Sequence, residues 1–265
     1  MKSEEEYEDD ELEDDFEDDD DDDDEEDDDL LDDEEEEEED EEEDDFDDDD
    51  EDDDDEEGDE EDDPLAQEWY DRKTVSMEET LGKEFEMVMH SIFPYEMGGA
   101  LDLYYYPEAV PGTGIATKEL SKYPDVGSSN AVYLAYELVM FTRHALSLDD
   151  AKDVETPFGR AHHNINAILN LIAPYSEDAE LNPCETCEFP DDMEEVGGKC
   201  LIFDGYTPYS ETDDGDMEDF GLLLLMEIFR SEMEYAREHG GMELIEKLKA
   251  AGHYPYSDMD RDPVV

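Results

Sequence analysis

The cysteines are the residues of this sequence whose spacing comes closest to metal chemistry. Cys184 and Cys187 form a Cys-x-x-Cys pair, and Cys200 follows them. A tight turn with this spacing can aim two thiolates at one zinc ion, while a distant histidine completes the site. Buried cysteines that act as small apolar residues are the alternative interpretation. We predict no resident cofactor. For the zinc alternative, the candidate ligands are Cys184, Cys187 and Cys200.

A run of three tyrosines, Tyr104–Tyr106, is the candidate recognition element. Side chains alternate across a strand, so Tyr104 and Tyr106 would share one face. On an exposed face, tyrosines suit the recognition of another protein. On a buried face, they would pack in the core instead. Both alternatives stay open, and Tyr104 and Tyr106 are candidate binding residues.

An acidic stretch contains Asp213, Asp214 and Asp216 and continues to Glu218 and Asp219. It lacks the alternating acidic order and the final glutamate of an EF-hand calcium loop. We interpret it as a solvated acidic loop. Asp213, Asp214 and Asp216 are therefore candidates for contact with a basic partner.

Motifs of catalysis are missing from the sequence. It contains no G-x-S-x-G elbow, no P-loop and no G-x-G-x-x-G segment. Serines, histidines and acids are present, but no spacing groups them into a triad. The sequence therefore predicts a protein that is not an enzyme.

Apolar periodicity predicts the elements that must position these residues. The run 132–141 fits either a buried strand or a helix, and its aromatic and β-branched content favours a strand. Helices are predicted at 77–93, at about 160–174 with Pro174 closing the helix, and at 232–248 with a possible break at Gly240-Gly241. Further strands are predicted at 101–106, 115–117, 200–203 and 222–229. Interleaved helices and strands without a strict βαβ rhythm predict a mixed α+β fold, with helices packed on mixed sheets.

The charge divides the chain in two. It carries 94 acidic against 15 basic residues, for a net charge of −79. Residues 1–63 account for −52 and residues 64–265 for −27. We predict a disordered acidic tail over 1–63 and one domain over 64–265, because the tail has too few apolar residues to offset the entropy of ordering.

The negative electrostatic field of the chain favours cations as partners. Basic proteins are favoured, whereas nucleic acid is repelled by its own phosphates. The sequence contains no apolar run long enough to cross a bilayer. Met1–Glu6 lacks the apolar stretch of a signal peptide, and three cysteines do not make a disulfide framework. A cytoplasmic location is expected, and no oligomeric state is assigned.

Several segments, taken in order, resemble the suppressor-of-fused domain family. Leu101–Pro107 is similar to the family's first strand motif, Tyr136–Met140 to its x-E-L strand and Ile168–Ile172 to its middle helix. The C-terminal part is similar through Glu227–Leu248 and the final Tyr256–Arg261. The resemblance extends over residues 68–262. Departures occur at Ile115–Ser121, at Phe229 in place of a proline, and at the three cysteines, which lie outside the family pattern.

The resemblance implies a mixed α/β fold that sequesters a protein partner without catalysis. Bacterial members resemble immunity proteins that neutralise toxins, and this single-domain form is similar to those. The leading hypothesis is therefore an immunity protein against a basic toxin. One alternative is a chaperone for basic proteins that works through its acidic tail. Another is a zinc-binding module that uses Cys184 and Cys187.

Overall fold

The computed structural model describes residues 63–124, 126–209 and 217–265. The helices there are α1 (Pro64–Leu81), α2 (Pro157–Asp178), α3 (Arg230–His239) and α4 (Gly241–Ala251), with a short 3₁₀ helix at Tyr95–Met97. The strands are β1 (Tyr104–Tyr106), β2 (Thr113–Ala116), β3 (Ser121–Tyr123), β4 (Val126–Gly127), β5 (Tyr136–Thr142), β6 (Thr186–Glu188), β7 (Cys200–Gly205) and β8 (Gly221–Ile228).

Six strands form one mixed sheet in the order β1-β2-β5-β8-β7-β6. β5 and β8 run parallel at its centre, where Tyr136 pairs with Gly221 and Val139 with Leu224. The other neighbours in this sheet are antiparallel. β3 and β4 form a separate two-stranded sheet. The predicted mixed α+β class is confirmed.

Helix α2 covers one face of the sheet. Its buried residues include Ile165, Ile168, Leu169 and Ile172, which recur at the spacing of one helical face. They pack against the sheet side chains that point the same way, such as Leu138 of the central strand β5. Alternation along each strand therefore produces one of the two apolar cores.

The opposite face is covered by α1, α3 and α4. Met77, Met233 and Leu244, one from each helix, belong to a second buried cluster with Val139 and Leu224 of the sheet. β5 and β8 are buried along their whole length, because helices cover them on both sides. Burial on both faces explains why the sequences of these two strands are near-continuous apolar runs.

The predicted helix over 77–93 is wrong beyond Leu81. The first helix begins earlier, at Pro64, with Asp63 capping its start, and it ends at Leu81, where the next residue, Gly82, is the C-cap with a φ of 82°. Beyond Gly82 the chain runs beside β1, and the Phe85 amide donates to the Tyr105 carbonyl at 2.8 Å. The sheet edge thus supplies the backbone partners that the helix would have supplied.

The prediction that Pro174 closes the second helix is also wrong. α2 continues through Pro174 to Asp178. A proline inside a helix removes the amide that would donate to the carbonyl four residues earlier. The turn after Pro174 is anchored by Ser176, which is buried and whose hydroxyl lies 2.7 Å from the hydroxyl of Ser128. By contrast, a strand is confirmed within 132–141, where β5 begins only at Tyr136 and continues to Thr142, and the helix break at Gly240-Gly241 is confirmed as well.

Candidate protein-interaction surface

The three tyrosines predicted for recognition lie in the core. Tyr104 and Tyr106 share the face covered by α1, while Tyr105 points to the α2 side, and all three are buried. Tyr106 donates to Glu84 at 3.1 Å, and the Lys118 ammonium lies over the ring of Tyr104. The alternation is therefore as predicted, but Tyr104 and Tyr106 do not form an exposed binding face.

The cysteines lie on different sides of the main sheet. Cys187 packs against the α2-side core, whereas Cys184 and Cys200 belong to the opposite cluster. Burial raises the pKa of both the Cys187 and the Cys200 thiol, which favours the protonated form over the thiolate that binds zinc. In residues 63–124, 126–209 and 217–265, no group of three or more His, Cys, Asp or Glu residues is arranged to hold a metal ion. The geometry thus favours the apolar interpretation of these thiols.

Two predictions fall on residues outside the described ranges. Asp213, Asp214 and Asp216 are among them, and so is the predicted acidic tail apart from Asp63. Asp63 caps α1 through its hydrogen bond from the Leu65 amide, and its second oxygen accepts a hydrogen bond from Tyr123 at 2.6 Å. The end of the acidic run is therefore attached to both α1 and β3.

A fully buried ion pair connects α1 to the sheet. The Lys73 ammonium donates to Glu137 at 2.7 Å and to the carbonyls of Lys118 and Ser121 at 2.7 and 2.6 Å. Glu137 in turn accepts a hydrogen bond from Thr117 at 2.7 Å. All three ammonium donors are used, so both charges are compensated without water.

The motif residues at the C-terminus have structural roles as well. Asp258 accepts hydrogen bonds from the Thr142 hydroxyl at 2.6 Å and the Arg143 amide at 2.7 Å, which attaches the final segment to the end of β5. Arg261 is bound to Glu232 of α3, and both side chains are buried. These residues therefore hold the C-terminal segment against β5 and α3.

Most of the positive charge of the domain is compensated internally. The lysines and arginines that lie within 4.0 Å of a carboxylate of the same domain are Arg72, Lys73, Lys118, Lys122, Arg143, Lys199, Arg230, Arg237, Lys249 and Arg261. Residues 64–265 nevertheless carry a net charge of −27. The outer surface therefore presents an excess of carboxylates.

A well-connected loop, residues 91–99, carries exposed apolar side chains. Ile92 is 92% exposed, Phe93 66% and Met97 73%. The Ser91 amide donates to Asp102 at 2.8 Å, and the Gly99 amide donates to the Pro94 carbonyl at 3.0 Å. We call this segment the apolar loop. Its backbone bonds show that the apolar side chains are held outward by an ordered turn.

Beside the apolar loop lies a groove of about 840 Å³. Its lining includes three glutamates from separate segments, Glu96 of the loop, Glu119 before β3 and Glu177 near the end of α2. Lys122 also lines it and pairs with Glu96 at 3.7 Å. Tyr95 joins loop and helix, because its hydroxyl donates to Glu177 at 2.9 Å. We call this cavity the acidic groove.

Glu119 is the half-buried carboxylate of the acidic groove. Its Oε2 atom accepts a hydrogen bond from the Asp102 amide at 2.8 Å. Burial, with the nearby charges of Asp102, Glu137 and Glu96, raises the pKa of Glu119 to about 7. The group thus changes its charge near neutral pH, where a bound cation would favour the ionised form.

Comparison with known proteins finds similarity at the level of solved structures. No family model matches the chain, and no curated protein matches it. The crystal structure of the Sufu–Fu complex is 17% identical, with a TM-score of 0.48 over 76% of this chain and 92% of the compared chain. Drosophila Suppressor of Fused is 16% identical, with a TM-score of 0.46 over 76% of this chain and 51% of its own. A putative SUFU homolog from Neisseria gonorrhoeae FA 1090 is 14% identical, with a TM-score of 0.44 over 75% of this chain and 98% of the homolog.

These three structures belong to the family that the sequence motifs resemble.

The apolar loop and the acidic groove are not predicted from the sequence, since the helical pattern places Ile92 on a buried face. Pro94 and Gly98-Gly99 predict the end of that helix, but they carry no signal that Ile92 before them is exposed. Among the described helices, none is both long and apolar enough to span a membrane.

Proposed function

We propose that this chain is a non-enzymatic protein-binding domain that sequesters a basic protein partner. The observation that carries the proposal is the charge distribution of the domain. Its lysines and arginines are largely paired with its own carboxylates, and residues 64–265 keep a net charge of −27. Such a field raises the association rate with a basic protein by about 10- to 1000-fold.

The finer part of the proposal is an immunity-type role. The sequence resembles the single-domain bacterial members of the suppressor-of-fused family, which are similar to immunity proteins. A basic toxin would then be held inactive by a stoichiometric complex. The acidic domain would contribute rapid capture, which matters for an inhibitor that must bind before damage occurs.

Affinity purification from the native host tests the proposal. Baits are the full-length chain and the fragment 63–265, which retains Asp63 as the cap of α1. We expect both baits to retain the same basic protein at low salt, and the purified pair to form a complex of fixed stoichiometry. If neither bait retains a basic protein, the proposed function is wrong.

Co-expression tests the immunity role separately. A gene for the captured partner is expressed in a bacterial host with and without this chain, and growth is measured. We expect toxicity that this chain suppresses and that an equally expressed, unrelated acidic protein does not suppress. A partner that is harmless by itself would leave the binding function intact but exclude the immunity role.

A second candidate function is that of a chaperone for basic proteins, carried by residues 1–63. The charge of −52 in that segment favours it. In this case the full-length chain retains many basic proteins, while fragment 63–265 retains none of them. Added salt also separates the two functions, since retention of basic proteins by the charge of residues 1–63 alone is weakened strongly at 0.5 M salt.

A further inference from the structure

The apolar loop presents large side chains where solvent-exposed polar residues would be expected. Ile92, Phe93 and Met97 lie within six residues of one another and are each at least 66% exposed. Exposed apolar residues that are neighbours mark interaction surfaces more often than isolated ones do. The loop is therefore a surface without an assigned role.

Hydrogen bonds within the chain hold the apolar loop in its turn. In addition to the Gly99 bond, the Met97 amide donates to the Pro94 carbonyl at 3.1 Å, and the Ala100 amide donates to the Ser91 hydroxyl at 3.2 Å. Tyr95 attaches the same segment to α2. A surface held in this way loses little conformational entropy on docking, which favours affinity.

The charge next to the loop selects the occupant. Glu96, Glu119 and Glu177 line the adjoining groove, and Lys122, the base that lines it, pairs with Glu96. A lysine or arginine side chain that enters would meet several carboxylates in a partly desolvated space. A second copy of this chain is disfavoured, because an isologous contact would place two acidic grooves and two negative domains together.

We propose that the apolar loop and the acidic groove together dock a basic segment of the partner protein. Apolar side chains of that segment pack on Ile92, Phe93 and Met97, and one lysine or arginine side chain enters the groove beside Glu119. This inference rests on the proposed function, since it names the surface through which sequestration occurs. The apolar contacts supply affinity, and the groove supplies the preference for a cation.

The test uses full-length chain labelled with ¹⁵N and a synthetic peptide, acetyl-Gly-Leu-Phe-Arg-Leu-Gly-amide. Its matched control carries citrulline, a neutral isostere, in place of arginine. We expect the arginine peptide to shift the amide signals of Gly98, Gly99 and Leu120, with binding about tenfold tighter than that of the citrulline peptide. Shifts confined to other residues, or equal affinity of the two peptides, would overturn the proposal.

Two variants separate the two parts of the surface. Phe93→Ser is expected to weaken both peptides by about tenfold, because it removes an exposed apolar anchor without touching the core. Glu119→Gln is expected to weaken the arginine peptide alone. Unchanged binding of the arginine peptide to both variants contradicts the proposal, provided that their spectra show the native fold.

Failure of this inference and failure of the proposed function give different results. If the purified protein partner binds the Phe93→Ser chain as tightly as the original, the docking surface is wrong and sequestration stands. If the peptide binds as expected but no basic protein is retained from the host, the proposed function is wrong. Self-association that Phe93→Ser abolishes would assign the surface to a second copy of this chain and overturn the inference.

Discussion

Arg261 donates two hydrogen bonds to Glu232, from Nη1 to Oε1 at 2.6 Å and from Nη2 to Oε2 at 2.7 Å. Glu232 also accepts the amides of Phe229 and Val264, each at 2.9 Å. Burial raises the pKa of Glu232, but these hydrogen bonds outweigh it and hold the pKa below its ordinary value. A charged, buried carboxylate thus fixes the last residues of the chain onto the first turn of α3.

Replacing Arg261 with methionine is expected to lower the free energy of unfolding by about 3–5 kcal/mol, since Glu232 loses its counter-charge. Arg261→Lys retains the charge but not the bidentate geometry. Its loss of unfolding free energy is therefore expected to lie between zero and that of Arg261→Met. Urea unfolding at pH 7 measures both. A methionine variant within about 1 kcal/mol of the parent would show that the pair is not desolvated.

Lys73 and Arg72 provide a matched pair of substitutions on one helix. Lys73 is buried against Glu137, whereas Arg72 is exposed and lies 3.6 Å from Asp219. Lys73→Met is expected to reduce the free energy of unfolding by about 3–5 kcal/mol, because a buried charge is left unpaired. Arg72→Met is expected to reduce it by less than about 1 kcal/mol. If urea titrations gave equal losses of unfolding free energy for the two variants, the difference in burial between Lys73 and Arg72 would be contradicted.

The central strands and the C-terminal helices are predictable from the sequence. β8 is an uninterrupted apolar run because helices cover both of its faces, and such a run has few alternatives. Gly240 has a φ of 102°, so the break between α3 and α4 follows from a residue type that tolerates this conformation. Local chemistry and tertiary structure agree at these positions.

The segment 82–99 is not predictable from its periodicity. Phe85 and Met89 pack on the α2-side core, while Val88 packs on the other core, so the same apolar spacing serves an extended segment between two cores. Ile92 fits the helical face and is nevertheless exposed. Whether an apolar residue is covered depends on what packs over it, and a single sequence does not contain that information. The acidic groove is likewise not predictable from the sequence, since its glutamates come from three separate elements that only the fold brings together.

The thiols offer a chemical test of the cysteine geometry. In the native protein, Cys200 is expected to resist N-ethylmaleimide, because it is buried and burial raises its pKa. In denaturant, Cys184, Cys187 and Cys200 are all expected to react. Mass spectrometry after proteolysis measures each site with and without equimolar zinc. Zinc-dependent protection of Cys184 and Cys187 would contradict this geometry and support the zinc-binding alternative.

Glu119 predicts how stability depends on pH. Its pKa is raised from 4.5 to about 7 in the folded chain, so between these values the folded state binds more protons at this site than the unfolded state. The protonated carboxyl therefore contributes stability below about pH 4.5, and this contribution is lost as the pH rises to about 7.

Glu119→Gln keeps an oxygen that can accept the Asp102 amide but does not ionise. Relative to this variant, the original chain is expected to lose about 1–2 kcal/mol of unfolding free energy between pH 5 and pH 8, after allowance for the solvent screening of a half-exposed group. Urea titrations of both chains across this range measure the difference and cancel the effects of other groups. Parallel profiles would mean that Glu119 titrates as an ordinary surface glutamate. In that case the groove is too well solvated to distinguish a cation from a neutral side chain.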